Sequence, residues 1–434
     1  MSKPPDGSKA QDARDRGGDL ADSEYMSGAE AVAFLGVKRQ TLYTYVSRGA
    51  VQSMPTPQGH RHLYLRADLE KLRSRPRARF PLGALAASAM YAGDPIISTS
   101  ITGITSAGPS YRGRPAAELA SAGLPFENVA EFLWTGELLD NEPVVWNREA
   151  LPAQVRRLAV ALGRSRANPP IAHIFSLFAL SIGNAHGSPS ERLRSSSTVL
   201  AARQLIQAFA GCFGYLSSRH AYLPSGSAES IASTVLRASG LASSDEKLRL
   251  LNGLMVLLAD HELSPATFSA RIAASSGAHL HACLVSAIQT SSGRKIAEIY
   301  DRTEDFLRGA QSKADLIRRV RDLQALGRVP PGFNQPIYPR GDPRALYIFD
   351  LMRRVNRPSR QLDMVLSFVA EAQNKFNLKP RAEFAVVALA HALGFPRRAP
   401  AGLYILSRVA GWVAHVIEQR LSSALLRPRA KFVD

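Results

Sequence analysis

The chain has 434 residues, of which 45% are hydrophobic and 21% charged, and its Lys and Arg outnumber its Asp and Glu by 54 to 36. This length and apolar content predict large cores in two or three domains and exclude a mostly disordered or fibrous protein. The two cysteines, Cys212 and Cys283, exclude a disulfide scaffold and are typical of a reducing compartment. The polar start carries no signal-peptide pattern, and no apolar run approaches the ~18 residues of a membrane span. We therefore expect a cytoplasmic protein without a membrane partner.

The positive charge is concentrated near the N-terminus. Residues 38–79 hold ten basic and two acidic side chains, a net of +8 over 42 residues, against +13 over the 354 residues from position 81 onward. Residues 1–24 are polar and lack periodicity, which predicts a disordered arm. The arginine-rich run at 73–80 predicts a basic linker. A basic region of this density is typical of a protein that meets nucleic acid or another acidic partner.

Short elements follow the arm. A helical pattern that starts at Ser27 stops at Gly36, and a second pattern runs over 38–48. The alternating stretch 61–65 predicts a strand, and Asp68 opens a third short helix. Two short helices joined by a glycine turn, the second rich in basic and hydrogen-bonding side chains, predict a helix-turn-helix.

The predicted DNA-binding domain covers residues 25–72. Its first helix packs through Ala31, Val32 and Leu35, and its second presents side chains that pair with base edges and phosphates. The candidate DNA-binding residues are Lys38, Arg39, Gln40, Thr41, Tyr43, Arg48, Arg61 and His62. The sequence of about 27–72 resembles the MerR/excisionase-type winged helix-turn-helix, which implies DNA as a partner. The residues alone leave open a basic three-helix module that docks on protein.

The body after Phe80 has a helical pattern. Apolar residues recur at helical spacing from Phe126 to Trp134 and from Val409 to Ile417, whereas strand alternation is rare, so the predicted fold class is all-α. The cluster His279, His281 and Cys283 invites a metal site. Residues two apart on a helix point to different sides, so we expect ordinary helix side chains and no metal. The common local catalytic signatures do not occur.

Several strings of the body resemble citrate synthase over about 80–434. They are SYRGRPAAELA at 110–120, FENVAEFLWTGEL at 126–138, ADHELSPATFSARIAASSGA at 259–278, PPGFNQPIYPRGDPRA at 330–345, ALGFP at 392–396, AGWVAH at 410–415 and RPRA at 427–430. The resemblance implies a homodimeric, all-α fold. A large domain of 81–297 and 394–434 and a small domain of 298–393 would close over oxaloacetate and acetyl-CoA. It implies no covalently bound cofactor, with acetyl-CoA as a substrate or ligand.

The resemblance also implies a set of site residues. Arginine presents a rigid fork that holds a carboxylate with two hydrogen bonds. By position, His261, Arg344 and Arg408 would grip a di- or tricarboxylate, and Arg427 would reach the neighbouring subunit's site. The three catalytic positions of the family, two histidines and an aspartate, are occupied here by Ile296, Gln335 and Glu383.

These substitutions predict impaired turnover. An alkyl side chain at 296 cannot donate a hydrogen bond to a developing enolate oxygen, and the loss of one such donor costs about 10²–10³ in rate. Gln335 still donates to a carbonyl, and Glu383 keeps a carboxylate that is one methylene longer, where a misplacement of about 1 Å costs about 10²-fold.

Three hypotheses follow from this pattern. The leading one is a catalytically impaired regulator that senses oxaloacetate, citrate or a related acid and reads DNA. The alternative is an active citrate or 2-methylcitrate synthase, an acyltransferase of the tricarboxylic acid cycle type with divergent catalytic residues. The third is a non-catalytic subunit that forms a hetero-dimer with an active paralogue. A further reading keeps the arginines only as ion pairs between domains.

Overall fold

The computed structural model describes residues 25–47, 50–55, 62–73, 97–165, 169–185, 195–355, 359–422 and 424–428. The arm predicted over 1–24, the DNA-binding candidates Arg48 and Arg61, and residues 74–80 of the predicted linker lie outside these ranges.

An N-terminal unit of three helices and three strands opens the described chain. Its elements are β1 (Tyr25–Ser27), α1 (Gly28–Leu35), α2 (Arg39–Ser47), β2 (Ser53–Pro55), β3 (His62–Leu65) and α3 (Arg66–Arg73). The strands form one antiparallel sheet in the order β1-β3-β2. The element order matches the predicted order of two helices, a strand and a third helix.

Local sequence explains where these helices begin and end. Ser27 and Glu30 form a capping box at the start of α1, in which each side chain accepts a hydrogen bond from the other's backbone N–H. Gly36 follows α1 with a φ of 62°, a left-handed conformation that glycine adopts without strain. Asp68 lies in the first turn of α3, and its Oδ2 accepts from the backbone N of Gln52 at 2.9 Å. Asp68 therefore ties α3 to the segment before β2.

The body consists mainly of helices. They are α4 (Ala116–Ser121), α5 (Phe126–Thr135), α6 (Ala153–Arg164), α7 (Ile171–Ala185), α8 (Ser195–Cys212), α9 (Ile231–Ala238), α10 (Asp245–Leu258), α11 (Pro265–Ser275), α12 (Leu280–Ser291), α13 (Arg294–Leu307), α14 (Lys313–Ala325), α15 (Pro343–Arg353), α16 (Arg360–Phe376), α17 (Ala382–Leu393) and α18 (Ala399–Leu421), with a 3₁₀ turn at Phe213–Tyr215. Within the described residues, no helix is both long and apolar enough to cross a bilayer.

The prediction of an all-α body is correct for most of the chain and misses one sheet. Strands β4 (Thr102–Thr105), β5 (Gly108–Tyr111) and β6 (Arg114–Pro115) form a second antiparallel sheet in the order β4-β5-β6. The strands are two to four residues long and contain or adjoin a glycine, so they carry no alternation that a pattern analysis would detect.

Helix α18 runs through the centre of the main core and packs against α5, α8, α10, α11 and α12. The periodic residues predicted from the sequence face inward here: Val409, Trp412 and Val413 are fully buried, and Ile417 is half-buried. Helices α13 to α17 pack largely on one another, and α15 and α17 also touch α10. The predicted division into large and small domains at 297–298 and 393–394 stays a prediction.

Two further expectations concern Cys and His. Both cysteines are free and buried. His279 is not a helix side chain as expected: it precedes α12 and its Nδ1 accepts from the backbone N of Ala282 at 3.2 Å, so it caps that helix. His281 lies buried in the first turn, 5.6 Å from the His279 ring centre to centre. The described residues contain no group of three or more side chains with metal-binding potential.

Candidate functional site

The site is built around the short loop between α10 and α11. Asp260 in this loop is fully buried, and Gly411 of α18 lies directly against it. A Cβ added at Gly411 would stand 2.2 Å from Asp260 Oδ1, and the Gly411 N–H donates to the carbonyl of Ala259 at 2.9 Å. Only glycine allows this close approach of loop and helix.

Asp260 is the centre of a buried charge network. Its Oδ1 lies 3.2 Å from Arg408 Nη1 and its Oδ2 lies 3.1 Å from His415 Nε2. Arg408 and His415 lie seven residues apart on one face of α18. Burial alone would raise the pKa of Asp260, but the charges of His415 and Arg408 outweigh it and hold that pKa well below its usual range. The carboxylate therefore stays ionised.

Arg408 is fully buried and only partly hydrogen-bonded. Its Nη2 donates to the hydroxyls of Ser264 and Thr267 at 3.2 and 3.0 Å. Among the residues that the structure describes, its Nε and Nη1 have no hydrogen-bond partner, although Nη1 is within ion-pair distance of Asp260. An unsatisfied buried donor costs about 1–3 kcal/mol, more when charged, so Arg408 keeps unused capacity to hold an anion.

Arg344 lies at the start of α15, held by the residue that caps the helix. Asp342 accepts hydrogen bonds from the backbone N, Nε and Nη2 of Arg344 at 3.0, 3.0 and 2.7 Å. Its Oδ2 also accepts from the backbone N of Ala382 at the start of α17. Although burial opposes the charged form of Arg344, the adjacent Asp342 carboxylate raises the pKa of that guanidinium. This pair fixes the direction of Arg344 and joins α15 to α17.

His261 is close enough to both arginines for their charges to act on its imidazole. Burial, together with the positive charges of Arg344 and Arg408, holds the pKa of His261 well below its usual range, so the imidazole is neutral at physiological pH. Its Nε2 forms a 2.8 Å hydrogen bond with the hydroxyl of Tyr338, whose pKa burial raises to about 12. The Arg344 guanidinium lies 5.8 Å from the centre of the Tyr338 ring. The structure thus brings together all three carboxylate-binding residues that the sequence predicts within one chain.

Glu383 reaches the same region from the first turn of α17. Its carboxylate accepts two hydrogen bonds from Arg381, at 3.2 and 3.1 Å. Its charge acts on Arg344 and on the buried Tyr300 hydroxyl, so Glu383 lies within electrostatic range of Arg344. Ile296 is half-buried in the first turn of α13, four residues before Tyr300 and therefore on the same helix face.

Gln335 follows a loop that is joined by hydrogen bonds to the segment at the start of α17. The backbone N of Asn334 donates to the carbonyl of Lys379 at 2.7 Å, and the Asn334 Oδ1 accepts from the backbone N of Lys379 at 2.9 Å. The backbone N of Arg381 donates to the carbonyl of Gly332 at 2.8 Å. The segments that carry Gln335 and Glu383 are therefore held side by side.

Sequence analysis missed four residues of this site: Asp260, Tyr338, Asp342 and His415 all lie in the strings quoted above but were not singled out. Two had a readable signal. Asp342 precedes Pro343, the usual sign of a cap followed by the first helical residue, and His415 lies two turns after Arg408 on one face.

Arg427 lies outside this pocket. Its side chain is exposed, and the neighbouring Leu426 N–H donates to the hydroxyl of Ser275 at the end of α11. The single chain therefore does not bring Arg427 to its own site, and its reach into a neighbouring subunit stays a prediction.

The described DNA-binding candidates lie at the start of α2 and of β3. Lys38, Arg39, Gln40 and His62 are exposed, Tyr43 is 52% exposed and Thr41 is half-buried. Thr41 and Tyr43 flank Leu42 in the sequence, and Leu42 is buried in the core of the N-terminal unit.

Comparison with known proteins places the body. The family described as "Citrate synthase, C-terminal domain" matches residues 90–429. A 2-methylcitrate synthase from Shewanella oneidensis is 26% identical over 356 residues, covering 79% of this chain and 92% of that protein. A citrate synthase from Mycolicibacterium smegmatis is 24% identical over 364 residues, covering 74% of this chain and 88% of that protein.

Solved structures share the fold. A ternary complex of carboxymethyl coenzyme A and oxaloacetate with citrate synthase from Thermoplasma acidophilum has a TM-score of 0.68 at 18% identity, covering 78% of this chain and 94% of that one. Citrate synthase from Thermotoga maritima has a TM-score of 0.64 at 23% identity, covering 79% and 94%. With the family matching most of the chain, the protein belongs to the citrate synthase family.

Proposed function

We propose that the chain is a citrate-synthase-type condensing enzyme that joins the acyl group of acetyl-CoA or propionyl-CoA to oxaloacetate. The observation that carries this proposal is the grouping of His261, Arg344 and Arg408: each arginine is buried and paired with a buried aspartate, and their charges act on His261 while the charge of Glu383 acts on Arg344. This chain covers most of the length of a 2-methylcitrate synthase and of a citrate synthase, and this similarity supports the same reaction class.

Each retained group has a part in this reaction. The unsatisfied Nε and Nη1 of Arg408 supply charged donors to a carboxylate of oxaloacetate, and Arg344 supplies a second fixed cation. Glu383 removes a proton from the α-carbon of the acyl group, and the carbanion attacks the keto carbon of oxaloacetate. Water then cleaves the thioester, which releases coenzyme A and the tricarboxylate product.

The two substituted histidine positions set the expected rate. Gln335 donates a hydrogen bond to the keto oxygen, whereas Ile296 gives the enolate oxygen no donor, which costs about 10²–10³ in rate. We expect slow turnover with ordinary oxaloacetate affinity, because the binding groups and the proton-moving groups are different residues.

The test is release of free coenzyme A thiol from acetyl-CoA or propionyl-CoA with oxaloacetate, using protein from a host that lacks its own citrate synthase. Glu383→Gln should abolish the signal. Glu371→Gln is the matched control, because Glu371 pairs with Lys313 and Lys375 on α14 and α16, away from the pocket. Oxaloacetate binding by calorimetry without thiol release from either acyl-CoA would reject the enzyme and favour the second candidate.

The second candidate is a carboxylate-responsive DNA-binding regulator. Two features favour it: the resemblance puts Ile296 and Gln335 at the family's histidine positions, and Lys38, Arg39 and Gln40 are exposed at and just before the start of α2. The strand, two helices, paired strands and third helix of the N-terminal unit follow the order expected of a winged helix-turn-helix. A gel-shift titration of genomic fragments with and without oxaloacetate or citrate tests it, with Arg39→Ala as the variant that should weaken binding. No retardation at low salt would reject this function.

We further propose a homodimer in either case. Leu177 and Leu180 of α7 are 41% and 42% exposed, and Ile272 of α11 is 38% exposed. We also propose that Arg427 reaches the partner's site in this dimer, as the resemblance implies. Sedimentation analysis tests the assembly, and a monomer at micromolar concentration would contradict it.

A further inference from the structure

The sheet of the N-terminal unit is buried on both of its faces. Met26 and Tyr64 point to one side and pack with Leu42 in the core of the unit itself. Tyr25 and Leu65, their neighbours in the two strands, point to the other side and join the core of the body, being 4% and 1% exposed. Because successive strand residues face opposite sides, the strand β1 joins the N-terminal unit to the body.

This contact lies at the edge of the candidate site. A cavity of about 810 Å³ is lined by Tyr25 and Met54 of the N-terminal unit, by Thr105 at the β4–β5 turn, and by Tyr338 and Lys379 of the body. Tyr338 is also the hydrogen-bond partner of His261. The cavity therefore lies between the N-terminal unit and Tyr338, the residue that bonds His261 of the candidate site.

A buried hydrogen bond contributes to this link. The Asn334 Nδ2 donates to the Tyr25 hydroxyl at 3.0 Å, across 309 positions of sequence. Asn334 is 5% exposed and has a φ of +57°, which non-glycine residues rarely adopt. The other side-chain atom of Asn334, Oδ1, binds the backbone of Lys379. Tyr25 thus fixes the Asn334 side chain, which connects the segment that carries Gln335 to the segment that carries Glu383.

We propose that Tyr25 is a positioning residue of the site. Through its hydroxyl, the packing of the N-terminal unit on the body is thermodynamically linked to the binding of a dicarboxylate. The inference rests on the proposed binding of a dicarboxylate by His261, Arg344 and Arg408. Linkage is reciprocal. A ligand that orders the loop after Gly332 therefore strengthens the packing of β1 on the body, and loss of that packing lowers the affinity for the ligand by the same factor.

The test compares Tyr25→Phe with Tyr45→Phe. The first removes only the hydroxyl that accepts from Asn334; the second makes the same change on a tyrosine that packs in the N-terminal unit's own core. With the full chain and oxaloacetate as the probe, calorimetry should show a Kd about three- to tenfold higher for Tyr25→Phe, the range expected for one hydrogen bond, and no change for Tyr45→Phe. A merely structural tyrosine would lower the melting temperature and leave the Kd unchanged, which would overturn the proposal.

A second measurement needs no ligand and separates this inference from the proposed function. In hydrogen exchange, the amides of Asn334 and Lys379 should exchange faster in Tyr25→Phe than in the wild type and in Tyr45→Phe. Unchanged exchange there would overturn the positioning role. If the wild type binds no oxaloacetate at all, the proposed function fails, and the exchange measurement alone decides whether Tyr25 holds the loop.

Discussion

The ion pair between Arg408 and Asp260 allows the sharpest quantitative test of the site. Both side chains are fully buried, and Nη1 lies 3.2 Å from Oδ1. In Arg408→Met, Asp260 would keep His415 as its neighbour and lose the arginine that helps to keep it ionised. Removal of one partner of a buried pair costs about 3–5 kcal/mol, because a charge is left uncompensated. Ser264 and Thr267 add little to this cost, since their hydroxyls already bond each other at 2.9 Å.

The assay is guanidinium denaturation at pH 7.5, followed by circular dichroism, for the wild type, Arg408→Met, Asp260→Asn and the double variant. Each single variant should lose about 3–5 kcal/mol of unfolding free energy. The double variant leaves no unpaired charge between the two positions and should lose at least about 1 kcal/mol less than the sum of the singles. Strictly additive losses, or a loss under about 1 kcal/mol in Arg408→Met, would refute a buried, coupled pair.

Three other results follow from the same structure. Ile296→His should raise the rate of thiol release at least tenfold without changing oxaloacetate affinity, because the position shares a helix face with Tyr300. Steady-state kinetics measure the rate and calorimetry measures the affinity. An unchanged rate would contradict the assigned geometry. His261 is held neutral in the folded protein, so the unfolded state binds its proton first as pH drops. The unfolding free energy should therefore fall below about pH 6.5, by up to about 1.4 kcal/mol per pH unit. A denaturation series over pH should show a flatter slope for His261→Asn. Leu177→Asp combined with Leu180→Asp should yield monomers in sedimentation, whereas an intact dimer would place the interface elsewhere.

Periodicity predicted the helices well and the small sheet poorly. The helical spacing from Phe126 to Trp134 corresponds to α5, whose apolar residues Phe126, Val129, Ala130, Leu133 and Trp134 are all buried. The N-terminal order of helices was readable because Ser27 and Gly36 carry specific start and stop chemistry. Strands β4 to β6 gave no signal, since such short strands are fixed by their pairing and not by their own pattern.

The contacts that build the site were the least predictable part. Resemblance to a family indicated His261, Arg344 and Arg408, but the network that orients them depends on pairs far apart in sequence. Asp260 and His415 are separated by 155 positions and Asn334 and Tyr25 by 309. No local pattern encodes such pairs, because each is set by how distant helices and strands pack.

The site also shows why retained arginines are weak evidence for a ligand when taken alone. Asp342 caps α15 and joins it to α17, and Asp260 fastens a loop to α18, so loss of either arginine would damage the fold whether or not a ligand binds. Ile296 and Glu383 are themselves half-buried, in the first turns of α13 and α17, and neither pairs with a buried charge as the two arginines do. The variant that combines Arg408→Met with Asp260→Asn separates the two explanations, since it removes the guanidinium while relieving the unpaired charge. If it recovers stability and has lost oxaloacetate, Arg408 is held for the ligand; if it still binds as the wild type does, the arginine is only a structural ion.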